Sequence, residues 1–159
     1  MNKYSYVFSF GDTKVFIHYK VMKIWQCYKQ LSSKQNEAFG VLIGCNNEKK
    51  NNIFIRMVTE PYSLDKATRT SFSLKDPKHQ EIVSKAFQRS HSLLGYLGTW
   101  HTHPEHNPIP SSIDIDDWDR CILRNTDRNL FFFIIGKDEP YLFYKKHNQY
   151  IKIKGDRYE

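Results

Sequence analysis

Residues 100–119, WHTHPEHNPIPSSIDIDDWD, join the end of an apolar segment to the start of a helical one. His101 and His103 stand two residues apart, and residues at that spacing on a strand point to the same face. A proline-rich loop then leads to Ser111, which is placed like a helix N-cap, with Asp114 in the first turn. Two imidazoles and one carboxylate form a ligand set for a divalent metal and leave a coordination position open for water. The stretch therefore predicts a metal site built from a strand end, a stiff loop and a helix start.

Each half of this pattern also has a simpler explanation. The pair Ser111-x-x-Asp114 is close to a capping box, in which the two side chains only satisfy the helix N-terminus. An isolated His-x-His is often a pair of partly exposed surface histidines. Glu105 and His106 belong to the loop between the two halves, where they either shape substrate access or are simply solvated. The occurrence of both halves on one short stretch favours metal ligation.

The remaining chain predicts one α/β domain over residues 1–159, with a mixed sheet flanked by helices. Alternating and apolar runs predict the strands, and apolar residues at helical spacing predict the helices. The glycines at 40 and 44 predict a strand that another backbone approaches closely. The predicted strands are 4–10, 14–18, 37–44, 53–58, 70–74, 93–100, 130–135, 141–144 and 150–153, and the predicted helices are 19–31, 77–91 and 112–124.

Composition excludes several classes of protein. Twenty-one Tyr and Phe residues favour a folded core over disorder. The net charge of +7 is spread as single Lys and Arg residues, so we do not expect dedicated nucleic-acid binding. The three cysteines form no Cys-x-x-Cys pair, which argues against a cysteine zinc site or a disulfide framework. Without a signal-peptide core or a run of membrane-spanning length, the chain is expected to be cytoplasmic and not associated with a membrane.

A hydrolytic metal site also needs a base that is not itself a ligand. Glu37 is the candidate, because it heads the otherwise apolar segment 37–44. A buried carboxylate is costly unless it is paired or functional. An ordinary strand-end glutamate, exposed to solvent, is an equally good explanation from the residues alone.

Three motifs together resemble the signature of the JAMM/MPN+ metallopeptidases. They are Glu37-x-x-Gly40-x-Leu42-x-Gly44, His101-x-His103-Pro104 and Pro110-Ser111-x-x-Asp114, with ten residues between His103 and Asp114. All the diagnostic positions are filled at the spacing of the family, and the pattern spans most of the chain. The resemblance implies the JAB/MPN fold, a cytidine-deaminase-like, three-layer arrangement with a mixed sheet between helices.

The same resemblance implies a role for each site residue. Zinc (Zn²⁺), one ion per chain, would be held by His101, His103 and Asp114. Glu37 would act on the water that completes the coordination, first as general base and then as general acid. Ser111 would match the serine that helps to stabilise the tetrahedral oxyanion. The reaction implied is hydrolysis of an amide after the C-terminal tail of ubiquitin or a ubiquitin-like protein.

A narrower resemblance concerns the substrate. The wording Gly98-Thr-Trp-His-Thr-His-Pro-Glu105, followed by Pro110-Ser-Ser-x-Asp114, is similar to JAB peptidases of bacterial CBASS anti-phage operons. Those peptidases are encoded beside an E1–E2 conjugating enzyme that attaches the cyclic-oligonucleotide synthase to targets through its C-terminus. The insertions of eukaryotic deubiquitinases are absent. The resemblance therefore implies a compact prokaryotic isopeptidase that removes such a conjugate.

Other functions stay open at this point. The chain is also compatible with a JAB peptidase that processes a sulfur-carrier or other ubiquitin-like protein, and with a RadC-like nucleic-acid-associated protein. A non-catalytic scaffold is disfavoured because no ligand is missing, and a zinc deaminase is excluded because its His-x-Glu and Pro-Cys-x-x-Cys pattern is absent. The irregular segment 61–73 is hypothesised to contact an extended substrate by strand addition.

Overall fold

The computed structural model describes residues 2–159, which contain ten strands and three α-helices. No helix of this part of the chain has the length and apolar character needed to cross a membrane. The strands are β1 (Tyr4–Phe10), β2 (Thr13–His18), β3 (Phe39–Asn47), β4 (Asn52–Val58), β5 (Lys66–Ala67), β6 (Phe72–Ser73), β7 (Gly95–Thr102), β8 (Phe131–Ile135), β9 (Pro140–Lys146) and β10 (Gln149–Arg157). The helices are α1 (Tyr19–Tyr28), α2 (Lys78–Arg89) and α3 (Ser112–Arg124).

Most element bounds follow the sequence pattern, and α3 has the bounds that were predicted for it. The first helix ends earlier, because Lys29 adopts an extended conformation and Leu31 is 66% exposed, so it adds no buried apolar contact. The strand expected to begin at Glu37 begins at Phe39. The strand expected over 70–74 is only Phe72–Ser73, paired with β5 in a small separate hairpin.

Eight of the strands form one mixed sheet that closes on itself in the order β1-β10-β9-β8-β7-β3-β4-β2. The pairs β2–β4 and β7–β8 are parallel, and the other neighbours are antiparallel. The mixed sheet and the three helices are therefore confirmed. The sequence did not indicate the closure, which comes from antiparallel pairing of the first and last strands.

Helices pack on both faces of the central strands. On one face, Val21 and Trp25 of α1 join a core cluster with β7 and β8 that includes Trp100. On the other face, α2 packs against Val41 and Ile43 of β3, and α3 packs against β8. All five residues of β8 are buried, as expected for a strand covered on both sides.

The glycines of β3 lie where neighbouring backbone leaves no room for a side chain. A Cβ added to Gly40 would lie 1.9 Å from the carbonyl oxygen of Thr59, and one added to Gly44 would lie 2.0 Å from that of Phe54. The close approach predicted from the two glycines is confirmed. These contacts hold β3 tightly against β4 and against Thr59, the residue just after β4. They therefore help to fix the position of the residues just before β3.

Candidate metal centre

The strand β7 brings the two histidines to one place. His101 pairs with Phe39 of β3 and with Ile134 of β8, so it lies in the middle of the sheet. The backbone N–H of His103 donates to the Ile135 carbonyl at 3.1 Å, which extends the same path one residue beyond β7. Pro104 has no N–H to continue the pairing. The Nε2 atoms of His101 and His103 lie 3.1 Å apart.

Asp114 reaches the histidines through the capping box of α3. The Ser111 N–H donates to Asp114 Oδ2 at 2.8 Å, and the Asp114 N–H donates to Ser111 Oγ at 3.1 Å. The same carboxylate places Oδ1 3.3 Å from His101 Nε2 and Oδ2 3.1 Å from His103 Nε2. The capping explanation and the ligation explanation are therefore compatible, because the cap holds the carboxylate that faces the imidazoles.

The three side chains have the geometry of a metal site. One ligand atom from each of His101, His103 and Asp114 lies within 4.8 Å of the others, and all three residues are buried. Ligands about 2.1 Å from a tetrahedral zinc ion lie about 3.4 Å from one another. The distances of 3.1 to 3.3 Å between these atoms are close to that spacing. The donor set and its geometry therefore fit a divalent cation.

Glu37 lies beside this cluster, in the segment that leads into β3. It is 4% exposed, and its Oε1 is 3.7 Å from His103 Nε2. Its Oε2 is buried without a hydrogen-bond partner among residues 2–159. Burial raises the pKa of Glu37 to about 8; the neighbouring His103 opposes this shift, and Asp114 adds to it. The solvent-exposed alternative for Glu37 is therefore wrong.

The other charges of the cluster are strongly coupled. Burial alone would raise the pKa of Asp114, but hydrogen bonds from His101 and His103 outweigh it and hold that pKa well below its usual range. Burial lowers the pKa of the fully enclosed His101. Burial also acts to lower the pKa of His103, but Asp114 and Glu37 reverse the effect and raise it. An anionic Asp114 thus faces two buried imidazoles.

Two contacts of the cluster were not predicted from the sequence. Glu105, which the loop pattern left as a solvated residue or one that shapes access, has its Oε1 3.1 Å from His103 Nδ1. Phe72 of β6 lies with its ring centroid 5.1 Å from that of His101 and stacks on Phe39 at 4.6 Å. In the sequence, Glu105 was distinguished only by its position two residues after His103. Phe72 is an aromatic residue in an irregular segment, and nothing in the sequence marked it as a neighbour of His101.

Other residues near the motif have structural contacts. Trp118 packs beneath the site, with its ring centroid 6.2 Å from that of His101. Asp119, in the middle of α3, accepts hydrogen bonds from Lys145 and Tyr150. His106 contacts Asp138 at the surface, at 2.7 Å. None of these contacts reaches the ligand atoms.

An open groove of about 1360 Å³ leads away from the site between α2 and α3. Asp114 lies on its wall, and Thr99 of β7 lies on its floor. Polar residues of α2 line one side together with Val83 and Phe87, and charged residues of α3 line another part of the wall. Of the cluster and its neighbour Glu37, Asp114 is the residue that borders this groove.

Known proteins resemble this chain along most of its length. A family model described as prokaryotic homologs of the JAB domain matches residues 26–147. A protein of Escherichia coli named CD-NTase/cGAS isopeptidase is 32% identical over 97% of this chain and 96% of its own length. A protein of Vibrio cholerae with the same name is 35% identical over 79% of this chain and 78% of its own.

A third similar protein and one solved structure extend this picture. A protein of Pseudomonas aeruginosa, also named CD-NTase/cGAS isopeptidase, is 29% identical over 82% of this chain and 84% of its own length. The solution structure of a protein from Desulfitobacterium hafniense covers 86% of this chain and 87% of that chain with a TM-score of 0.59. At 23% identity, that structure supports the fold alone.

Proposed function

The chain belongs to the family of prokaryotic homologs of the JAB domain, and we propose that it is a zinc-dependent isopeptidase. The observation that carries the proposal is the buried convergence of His101, His103 and Asp114 beside the carboxylate of Glu37. We propose that the bond cleaved is the amide after the C-terminal tail of a conjugated CD-NTase, the cyclic-oligonucleotide synthase of CBASS defence. The names of the three similar proteins support this choice of substrate.

Zinc is the metal proposed for the site because two imidazoles and one carboxylate suit it and leave one position open. When bound, it would lower the pKa of a coordinated water and polarise the scissile carbonyl. The His101 and His103 rings and the Asp114 carboxylate would hold it. Their ligand atoms lie 3.1 to 3.3 Å apart, near the spacing expected around such an ion.

Glu37 is proposed as the group that moves the proton. It is buried next to the ligand cluster but has an oxygen, Oε2, with no hydrogen-bond partner among residues 2–159. A free carboxylate oxygen at that place can take a proton from the attacking water and pass it to the leaving amine. The backbone N–H of Glu37 donates to the Thr68 carbonyl at 2.8 Å, which anchors the segment that carries it.

Ser111 is proposed to stabilise the developing oxyanion. Its Oγ accepts a hydrogen bond from the Asp114 N–H, so its own O–H is free to donate. A donor of this kind contributes roughly 3 kcal/mol of transition-state stabilisation in other hydrolases. Because Ser111 is also the N-cap of α3, its position relative to Asp114 is set by the helix itself.

The substrate chain is proposed to approach as an extended tail through the groove between α2 and α3. The E1–E2 enzyme that makes the conjugate would then be a functional partner in the same pathway, with this protein reversing its product.

The proposal is tested with a conjugate that joins the C-terminal tail of a CD-NTase to a lysine of a second protein. The zinc-loaded wild type should release the two proteins, whereas Glu37→Ala should abolish the release and keep the fold. Glu48→Ala, at an exposed acidic residue in the turn after β3, is the matched control and should cleave like the wild type. Wild-type turnover by Glu37→Ala would show that the proposed mechanism is wrong. Sulfur-carrier and other ubiquitin-like precursors in the same assay test the substrate separately.

A further inference from the structure

We propose that Glu105 is a positioning residue that orients the ligand His103 toward the metal; this inference rests on the metal site of the proposed function. The two nitrogens of the His103 ring face different partners. Its Nε2 points to His101 and Asp114, and its Nδ1 lies 3.1 Å from Glu105 Oε1. An imidazole that donates its Nδ1–H to a carboxylate keeps the Nε2 lone pair for the metal, which fixes both tautomer and ring orientation.

The main chain holds Glu105 where this bond requires it. The Lys137 N–H donates to the Glu105 carbonyl at 2.8 Å, and the His103 N–H donates to the Ile135 carbonyl at 3.1 Å. Residues 103–105 are thereby fixed along the turn that leaves β8. The turn contains Gly136, where a Cβ would lie 2.9 Å from the Glu105 carbonyl oxygen. The approach of the two segments therefore depends on a residue without a side chain.

The two histidine ligands are oriented in different ways. His101 Nδ1 is buried and has no hydrogen-bond partner among residues 2–159. Its ring is held instead by packing, between Phe72 and Trp118. His103 lies at the end of the strand and next to the loop, and its ring contacts the carboxylate of Glu105. Loss of Glu105 therefore removes the one side-chain acceptor at His103 Nδ1, and the His101 environment offers no replacement.

The Glu105 side chain can be removed without opening the core. It is 48% exposed, so truncation leaves no enclosed cavity. Surface substitutions of this type usually change the free energy of unfolding very little. An effect on metal affinity can therefore be separated from an effect on folding. A residue that was only part of a solvated loop would change neither the affinity nor the His103 tautomer.

The test measures zinc affinity by competition with a chromogenic chelator, using Glu105→Ala, Glu105→Gln and Asp138→Asn. We expect Glu105→Ala to weaken zinc binding roughly 10- to 100-fold, the range found for such outer carboxylates. Glu105→Gln keeps an acceptor oxygen and should lose less. Asp138→Asn alters an exposed carboxylate of the same surface that contacts only His106, and should bind zinc like the wild type. Thermal unfolding of each variant checks the fold.

A second readout uses the metal-free protein at alkaline pH, where a histidine ring is neutral and has one defined tautomer. Long-range ¹H–¹⁵N spectra of the imidazoles should show His103 protonated at Nδ1 in the wild type, and this preference should disappear in Glu105→Ala. Zinc affinity within twofold of the wild type, together with an unchanged His103 tautomer, would overturn the inference. Failure of the wild type itself to bind zinc would count against the proposed function, and the tautomer comparison would still decide the role of Glu105.

Discussion

Replacing Gly40 by alanine should destabilise the fold and impair the site together. Gly40 is part of the motif that begins with Glu37, and it pairs with Trp100 in the neighbouring strand β7. The added Cβ would lie 1.9 Å from the Thr59 carbonyl oxygen and 2.7 Å from Trp100 Nε1. Ordinary contacts of a Cβ begin at about 3.4 Å. The chain around Thr59 must therefore move by more than one ångström.

The size of the effect follows from what that movement breaks. Three hydrogen bonds join Thr59 to Val41 and Trp100: its N–H donates to the Val41 carbonyl, its Oγ1 accepts from the Val41 N–H, and its carbonyl accepts from Trp100 Nε1. Each contributes about 1 kcal/mol net, and overpacking adds about 1–3 kcal/mol. We therefore expect Gly40→Ala to lose about 4–6 kcal/mol of a stability that is roughly 5–15 kcal/mol in typical domains.

Urea unfolding of the purified variants measures this loss. Gly95→Ala is the matched control, because Gly95 lies in the same sheet and its added Cβ would meet only Arg128 Nη1, at 3.6 Å. We expect it to unfold within about 0.5 kcal/mol of the wild type. A Gly40→Ala variant within 1 kcal/mol of the wild type, by the same measure, would refute the reasoning about the contact with Thr59.

Two further substitutions separate stability from activity. Ser111→Ala removes a helix cap worth about 1 kcal/mol and also the proposed oxyanion donor, so turnover should fall roughly 100-fold or more. Ser112→Ala, at the neighbouring residue, is the control. Equal turnover of the two variants would contradict the role of Ser111. Asp65→Asn should lower the free energy of unfolding by about 2–4 kcal/mol, because the buried carboxylate accepts from His79 at 2.6 Å and from backbone N–H groups. Burial acts to raise the pKa of Asp65, but the hydrogen bonds that it accepts outweigh burial and lower that pKa. The Asp65 carboxylate therefore stabilises the fold above its unfolded-state pKa, and this stabilisation is lost as the pH falls through its folded-state pKa. Unfolding curves of the wild type and the variant at neutral and acid pH will measure the loss.

The local structure of the chain could largely be predicted from its sequence. Apolar periodicity predicted the bounds of α3, and the spacing of Ser111 and Asp114 predicted its capping residues. The glycines at 40 and 44 predicted a close backbone approach, which the structure confirms. These features depend on residues that are near in the chain, so local spacing is enough to reveal them.

Features that depend on distant pairing could not be predicted in the same way. Strand alternation reports which face is buried, but it does not name the neighbouring strand, so the antiparallel pairing of β1 with β10 left no sequence signal. The contact between Glu105 and His103 depends on where the turn after β8 places the loop. The burial of Asp65 and His79 arises from a loop folding onto α2, and neither residue belongs to a periodic pattern.

The register between β3 and β7 explains how Glu37, the proposed base, reaches proposed metal ligands more than sixty residues away in the chain. Phe39 pairs with His101 in an antiparallel register, so Glu37, two residues before Phe39, falls opposite His103, two residues after His101. Two hydrogen bonds hold the register one step beyond β3: the Ala38 N–H donates to Thr102 Oγ1, and the Thr102 N–H donates to the Ala38 carbonyl. A slip of one residue would turn Glu37 to the opposite face of the sheet. The tight contact of Gly40 with Thr59 and Trp100 therefore supports the position of β3, and with it the place of the proposed catalytic carboxylate beside the imidazoles.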